Sequence, residues 1–146
     1  MTAKQISVFL ENKPGQLAEF TRLLNQNQIN MHALSLADAE DFGILRLIVD
    51  DSYKAACVLK EAGYVFSITS VLAVEIPDQP GSLVHILDLL GQNDVNLEYT
   101  YAFTSRRKDR AYMILRVADN QKAGEVLNKN GIRLICQSEL SDLFSS

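Results

Sequence analysis

Apolar and polar positions alternate at two places in the chain. Ile6, Val8 and Leu10 are separated by Ser7 and Phe9, and Leu72, Val74 and Ile76 by Ala73 and Glu75, which is the period of a strand with one face turned inward. A Pro-Gly pair breaks each run, at Pro14-Gly15 and Pro80-Gly81. Leu17, Phe20, Leu23 and Leu24 then follow the spacing of a helix with one buried stripe, as do Leu83, Ile86, Leu87 and Leu90. Residues 30–37 and 96–104 read as extended, and 44–49 and 112–118 as the strands returning beside them, so each set predicts a hairpin. Second helices are expected after Asp50-Asp51-Ser52 and Asp119-Asn120, where side-chain oxygens can accept from free N–H groups. Gly63 and Gly131 are placed to end them in a left-handed conformation. Their inward stripes would be Ala55, Leu59 and Ala62, and Ala123, Val126 and Leu127, with last strands over 64–70 and 132–139.

The order strand, helix, strand, strand, helix, strand therefore occurs twice, and residue identities repeat with it. Asn12-Lys13-Pro14-Gly15-Gln16-Leu17 returns as Asp78-Gln79-Pro80-Gly81-Ser82-Leu83, Pro14 and Pro80 being 66 positions apart. Leu23 to Asn30 returns as Leu89 to Asn96 at the same displacement. Leu45-Arg46-Leu47 reads as Leu115-Arg116-Val117, 70 apart, and Lys54-Ala55 as Lys122-Ala123, 68 apart. This predicts a four-residue insertion before Leu115 and a two-residue deletion after it. The 146 residues thus resolve into two small domains, 1–70 and 71–146. Each would be an α+β sandwich of βαββαβ order, an antiparallel sheet with helices on one face. A domain of this size buries little more than about 60% of its unfolded surface, so the two are expected to pack side by side and, with no Gly/Ser/Pro linker between them, to be rigidly coupled.

Composition removes several function classes. With 14 basic and 18 acidic residues the formal charge is −4, which repels a phosphate backbone and argues against a nucleic-acid binder. The apolar runs fall far short of the ~20 residues a membrane span needs. Residues 1–15 carry Lys4, Glu11 and Lys13 around a short strand-like run, which is not a signal-peptide core; a cytoplasmic location is expected. Cys57, Cys136, His32 and His85 are isolated in sequence, so no metal framework is encoded. Both cysteines are expected to be buried, Cys57 among Ala55, Ala56, Val58 and Leu59, and Cys136 after Leu134 and Ile135. His85 has Asp88 on its helix but no evident nucleophile, and no phosphate loop or cofactor fingerprint is present. Neither an enzyme nor a cofactor is indicated.

The doubled Pro-Gly-x-Leu, followed fifteen residues after its Gly by Asn30 and Asn96, resembles the ACT domain, and the resemblance spans about 4–70 and 71–140. It implies two tandem ferredoxin-like units. ACT domains are regulatory modules that bind small molecules, mostly amino acids, commonly between the first loop of one unit and the second strand of another. The candidate ligand-binding residues are therefore Asn12, Pro14, Gly15, Gln16, Leu17 and Asn30 in repeat one, and Asp78, Pro80, Gly81, Ser82, Leu83 and Asn96 in repeat two. Physical chemistry supports the loop independently: a glycine without Cβ admits close approach, and unpaired N–H groups at a helix start suit a carboxylate. Oxygens near Asn12, Asn30, Asp78 and Asn96 could accept from an ammonium. The same residues equally suit structural work, in the turn and at the helix-to-strand connection. The ACT units of serine-responsive dehydrogenases carry a His two positions before the first Asn, where this chain has Leu10 and Ile76.

Three other features bear on partners. The first hairpin tip carries Asp38, Glu40 and Asp41, and the second Arg106, Arg107, Lys108, Asp109 and Arg110; these are expected to be solvated ends, although opposite signs could set the register of a dimer. Tyr99, Tyr101 and Phe103 stand where repeat one has Ala33, Ser35 and Ala37, an aromatic stripe expected in packing. His32 and Glu98 occupy matching places next to Asn30 and Asn96 and could face a ligand. The leading expectation is a sensor of a free amino acid, forming a homodimer and signalling to a metabolic enzyme or regulator. The alternative is a ligand-independent interaction or oligomerisation module.

Overall fold

The structure is a computed structural model describing residues 2–103, 105 and 107–144. The chain forms two compact units, Lys4–Thr69 and Met1–Ala3 with Ser70–Ser146.

In the first unit, β1 (Ala3–Glu11), α1 (Gln16–Gln26), β2 (Met31–Ala39), β3 (Phe42–Val49), α2 (Ser52–Glu61) and the start of β4 (Phe66–Pro77) follow in order. The sheet runs β2-β3-β1-β4, with β1 antiparallel to β3 and β2 antiparallel to β3. Ile6, Val8 and Leu10 from β1 meet Leu45, Leu47 and Val49 from β3, under Phe20 and Leu24 of α1 and Ala55 and Leu59 of α2. Large side chains buried in this way contribute about 1.5–3 kcal/mol each. The second unit repeats the plan with the rest of β4, α3 (Ser82–Gln92), β5 (Leu97–Phe103), β6 (Arg110–Val117), α4 (Asn120–Lys129) and β7 (Arg133–Ile135), in sheet order β7-β4-β6-β5. Its core joins Leu72, Val74 and Ile76 to Met113, Leu115 and Val117 beneath Ile86, Leu90, Ala123 and Leu127. Both units are thus βαββαβ sandwiches with both helices on one sheet face.

Local chemistry sets the helix ends. Asp51 and Asp119 cap α2 and α4, accepting from the N–H groups of Lys54 and Lys122. Gly63 and Gly131, at φ of 82° and 78°, turn the chain away after them. The first helix of each unit starts differently, from Gly15 and Gly81 with no side-chain cap.

Several expectations are corrected. Leu45 lies opposite Val8 and Met113 opposite Val74, so the equivalent of Leu47 is Leu115, 68 positions on. The second hairpin is longer by two residues, not four, and no deletion follows. A shift of two leaves every strand side chain on its original face, so the polarity pattern could not reveal it. The last strand of the second unit is only Arg133–Ile135 and gives way to a fifth helix, α5 (Gln137–Phe144). At this break Glu139 accepts from the Cys136 N–H at 3.5 Å, in the manner of a helix-start acceptor, and from Arg133 at 2.7 Å. Cys57 is exposed and Cys136 half-buried; two places from both Ala55 and Leu59, Cys57 falls on the opposite side of α2 from the core. Ala62 is exposed too, lying beyond the last helical turn as its C-cap. On α3 the buried residues are Ile86 and Leu90, whereas Leu83 and Leu87 are 38% and 39% exposed.

Candidate functional site

The loop between β1 and α1 holds the repeat-one candidates. Gly15 adopts φ 85° as the N-cap of α1, and Gly81 adopts φ 91° at the start of α3. A Cβ at either glycine would meet nothing within 4 Å. The glycine is therefore required by backbone conformation, since the left-handed region costs other residues about 1–2 kcal/mol, and the space beside it is open. The Gln16 N–H donates to the Lys13 carbonyl at 3.3 Å and the Glu19 N–H to the Gly15 carbonyl at 2.9 Å. Between them, the N–H groups of Leu17 and Ala18 have no main-chain acceptor among the described residues. Repeat two matches: Ser82 donates to Gln79 and His85 to Gly81, leaving Leu83 and Val84. Two free N–H groups at the positive end of a helix dipole favour an anion.

Asn12 holds this loop to the hairpin tip. Its Nδ2 donates to the Glu40 carbonyl at 2.9 Å, and its main-chain N–H to the Asp41 carbonyl at 3.0 Å. Asp78 keeps the main-chain half of this arrangement, donating to the Asp109 carbonyl at 2.9 Å. Lys13 pairs with Glu11 at 2.6 Å, and this partner holds the Glu11 carboxyl below its ordinary range. A cavity of about 80 Å³ opens at the loop, lined by the apolar Leu10, Leu17, Leu36 and Gly43 together with the polar or charged Glu11, Asn12, Lys13 and Gln16. A larger cleft of about 520 Å³ runs along the other flank of α1, from Gln16 and Arg22 to Tyr64 and Val65. Its volume exceeds that at the loop, but it lacks the free N–H groups that define an anion site. In repeat two, Pro80, Gly81 and Ser82 line a cleft of about 320 Å³ with His85 and Ile132.

Asn30 and Asn96 are not brought to these loops within their own units. Each lies past the far end of an eleven-residue helix, about 16 Å of rise away. Asn30 instead fixes the turn into β2: its N–H donates to Asp50 Oδ1, and the Asp50 N–H returns to the Asn30 carbonyl, both at 3.1 Å. Next to it, burial lowers the His32 pKa, opposed by the Asp50 charge. Glu98, at the matching place, pairs with Arg116 at 3.3 Å.

The charged residues of the second hairpin are not all solvated. Glu75, with a side chain only 8% exposed, lies 2.9 Å from Arg133, 3.6 Å from Arg110 and 3.7 Å from Arg107. It also accepts from the Tyr112 hydroxyl at 3.1 Å, while Phe103 stacks on Tyr112 at 5.4 Å between centroids. Sequence reasoning missed this cluster. Register would have found it, because Glu75, Arg110, Tyr112 and Arg133 replace Phe9, Phe42, Ile44 and Val65 of repeat one. Arg106 and the side chain of Asp38 lie outside the described residues. Among the described residues no group of three His, Cys, Asp or Glu is placed to hold a metal, and no helix is long and apolar enough to cross a membrane.

The two βαββαβ units and their glycine-opened helices define the class of the molecule as a tandem ferredoxin-like protein. A family model described as an ACT domain pair matches residues 1–144, and the chain belongs to that family. Protein BT0572 from Bacteroides thetaiotaomicron is 40% identical over 98% of both chains, and its crystal structure superposes with a TM-score of 0.91. The ligand-free regulatory subunit of aspartate kinase from Thermus thermophilus shares the fold at 15% identity and a TM-score of 0.62, over 88% of this chain and 92% of that one. So does E. coli aspartokinase III in complex with aspartate and ADP, at 14% identity and a TM-score of 0.56, over 89% of this chain and 32% of that one. A search of curated proteins returns no match.

Proposed function

We propose that this chain is a regulatory amino-acid sensor of the cytoplasm, not an enzyme, which acts through a partner enzyme or regulator. The observation that carries this reading is the loop at Gly15: free N–H groups of Leu17 and Ala18 beside a glycine whose Cβ position is open. The α-carboxylate of an amino acid is the group such a site takes. Family membership supports regulation as the task, and the regulatory subunit of aspartate kinase has the same fold.

The ammonium partner must come from elsewhere, since Asn30 is at the far end of α1. A homodimer supplies it. Strand β2 is an edge of its sheet, carries exposed Leu34 and Leu36, and has no Asp, Glu, Lys or Arg from Met31 to Ala37. Such an edge is a template for another strand, and antiparallel pairing of two β2 strands would carry one copy's Asn30 toward the other's loop. Ligand that binds the paired state better stabilises it, which is all that regulation by population shift requires. The test is sedimentation with and without the twenty amino acids. One of them should stabilise a dimer that Leu34→Lys/Leu36→Lys abolishes; a monomer under every condition contradicts the dimeric site.

Asn12, already bonded to the hairpin tip, favours a second reading in which the loop is purely architectural and the chain an interaction module. That reading predicts assembly unaffected by any amino acid.

A further inference from the structure

We infer that the sheet face of repeat one opposite its helices docks an amphipathic helix of the partner protein, apolar along one stripe and basic at the end beside the β2–β3 hairpin tip. This rests on the regulatory reading above and adds to it the surface that the partner touches.

Successive residues of a strand point to opposite faces. Ile6, Val8, Leu10, Leu45 and Leu47 turn toward α1 and α2, so Phe9, Phe42 and Ile44 turn to the other face. Val65 joins them, because Tyr64 and Phe66 on either side of it pack against the core. Phe9 is 44% exposed, Phe42 43% and Val65 66%. The Phe9 and Phe42 rings are 6.0 Å apart between centroids and tilted by 56°. Ile44 lies opposite Phe9 on one side, and the Phe9 N–H donates to the Val65 carbonyl on the other. Apolar residues exposed singly need no explanation, but a contiguous group marks an interaction surface.

Repeat two shows what this face of the fold receives. Its equivalent positions are Glu75, Tyr112, Arg110 and Arg133, and α5 stands over them. Glu139 of α5 accepts from Arg133 at 2.7 Å. With Asp142 and Leu143 it closes a cavity of about 210 Å³ whose other walls are Glu75, Arg107, Arg133 and Ile135. Cover and face are matched in charge, an acidic helix against a cluster of arginines. In repeat one the chain after Val65 continues as one strand, Phe66–Pro77, so no helix of its own follows to take that place.

The face of repeat one calls for a helix of different chemistry. Its arginine positions are apolar, and the adjoining hairpin tip carries exposed Glu40 and Asp41, with exposed Glu11 opposite Phe42. Lys13 offsets one of these three charges by pairing with Glu11 at 2.6 Å. A helix like α5 would set Glu139 and Asp142 against this acidic end; the complement carries Lys or Arg there and uncharged apolar side chains over Phe9, Phe42 and Val65. The width fits one helix. The apolar group spans β3, β1 and β4, about 10 Å at the spacing of strands, close to the diameter of a helix. Beyond it the same face turns polar, with Arg46 opposite both Ser7 and Ser35, which leaves it too narrow for a second copy to pack sheet on sheet.

The experiment measures, by fluorescence anisotropy, binding of the full chain to two synthetic amphipathic peptides. Both are about 18 residues long, enough for a helix to form, and share one leucine stripe; one ends in lysines and the other in glutamates. At low salt the lysine peptide should bind saturably and about tenfold more tightly than the glutamate peptide, the scale of a few exposed ion pairs. Glu40→Gln/Asp41→Asn should remove that preference. Phe9→Ser/Phe42→Ser should abolish binding, with the fold verified by circular dichroism, and Val65→Ser should weaken it independently. Leu83→Ala, which trims an exposed leucine elsewhere, should leave binding unchanged. Equal binding of the two peptides, binding that survives Phe9→Ser/Phe42→Ser, or binding of neither overturns the inference. So does a chain that dimerises without any amino acid and becomes monomeric on Phe9→Ser/Phe42→Ser, since the occupant is then a second copy. The sensor reading fails separately, by the absence of any amino-acid-dependent dimer.

Discussion

At the scale of the residue, the two N-cap glycines are where conformation and binding meet. Gly15→Val places a β-branched residue at φ 85°, so urea denaturation should show a loss of about 1–2 kcal/mol, even though no atom stands within 4 Å of the new Cβ. Asp51 is a simpler case. It caps α2 through the Lys54 N–H at 2.9 Å, and Asp51→Ala should cost about 1 kcal/mol. His32 gives stability a pH dependence. Burial lowers its pKa in the folded protein, so the unfolded chain binds this proton more readily. The neutral histidine's contribution is complete above the unfolded value near 6.5 and is lost as pH falls below it. His32→Gln should therefore flatten the fall in urea midpoint between pH 7.5 and 5.5; an unchanged slope would assign that fall to other groups.

At the scale of the element, the helices separate what sequence could show from what it could not. Spacing, with the Asp and Gly signals at helix ends, identified α1 to α4 and the strands up to β6, because 3.6 and 2 residue periods are local properties of the chain. It could not tell which apolar residues on a stripe lie at its centre. Leu83 and Leu87 share the pattern of Ile86 and Leu90 but are about two-fifths exposed, while the latter are buried. Leu90→Ala should thus cost about 2–5 kcal/mol, and Leu83→Ala within about 1 kcal/mol, by thermal or chemical unfolding. Helix α5 was missed for a different reason. Ile132 to Glu139 alternates well enough for a strand, and only the contacts of Glu139 with the Cys136 N–H and Arg133 mark where the chain turns. In the candidate site, the glycine in its turn and the free N–H groups were legible from Pro-Gly-x-Leu, whereas the left-handed conformation of Gly15 was not. The presence of Leu36 and Gly43 at the loop cavity was not legible either, since it depends on the register of β2 against β3, a pairing between positions remote in the motif.

At the scale of the whole molecule, duplication has produced two units with the same elements and different surfaces. Phe9, Phe42, Ile44 and Val65 in one correspond to Glu75, Arg110, Tyr112 and Arg133 in the other, and the latter form a network around a nearly buried carboxylate. The loops diverge as well, with Asn12, Leu36 and Gly43 in repeat one against Asp78, Ala102 and Ala111 in repeat two. The most direct measurement is of the amide resonances of Leu17 and Ala18 during titration with each of the twenty amino acids. Saturable shifts at Leu17 and Ala18 with one of them are the predicted result; saturable binding that leaves both unshifted would contradict it.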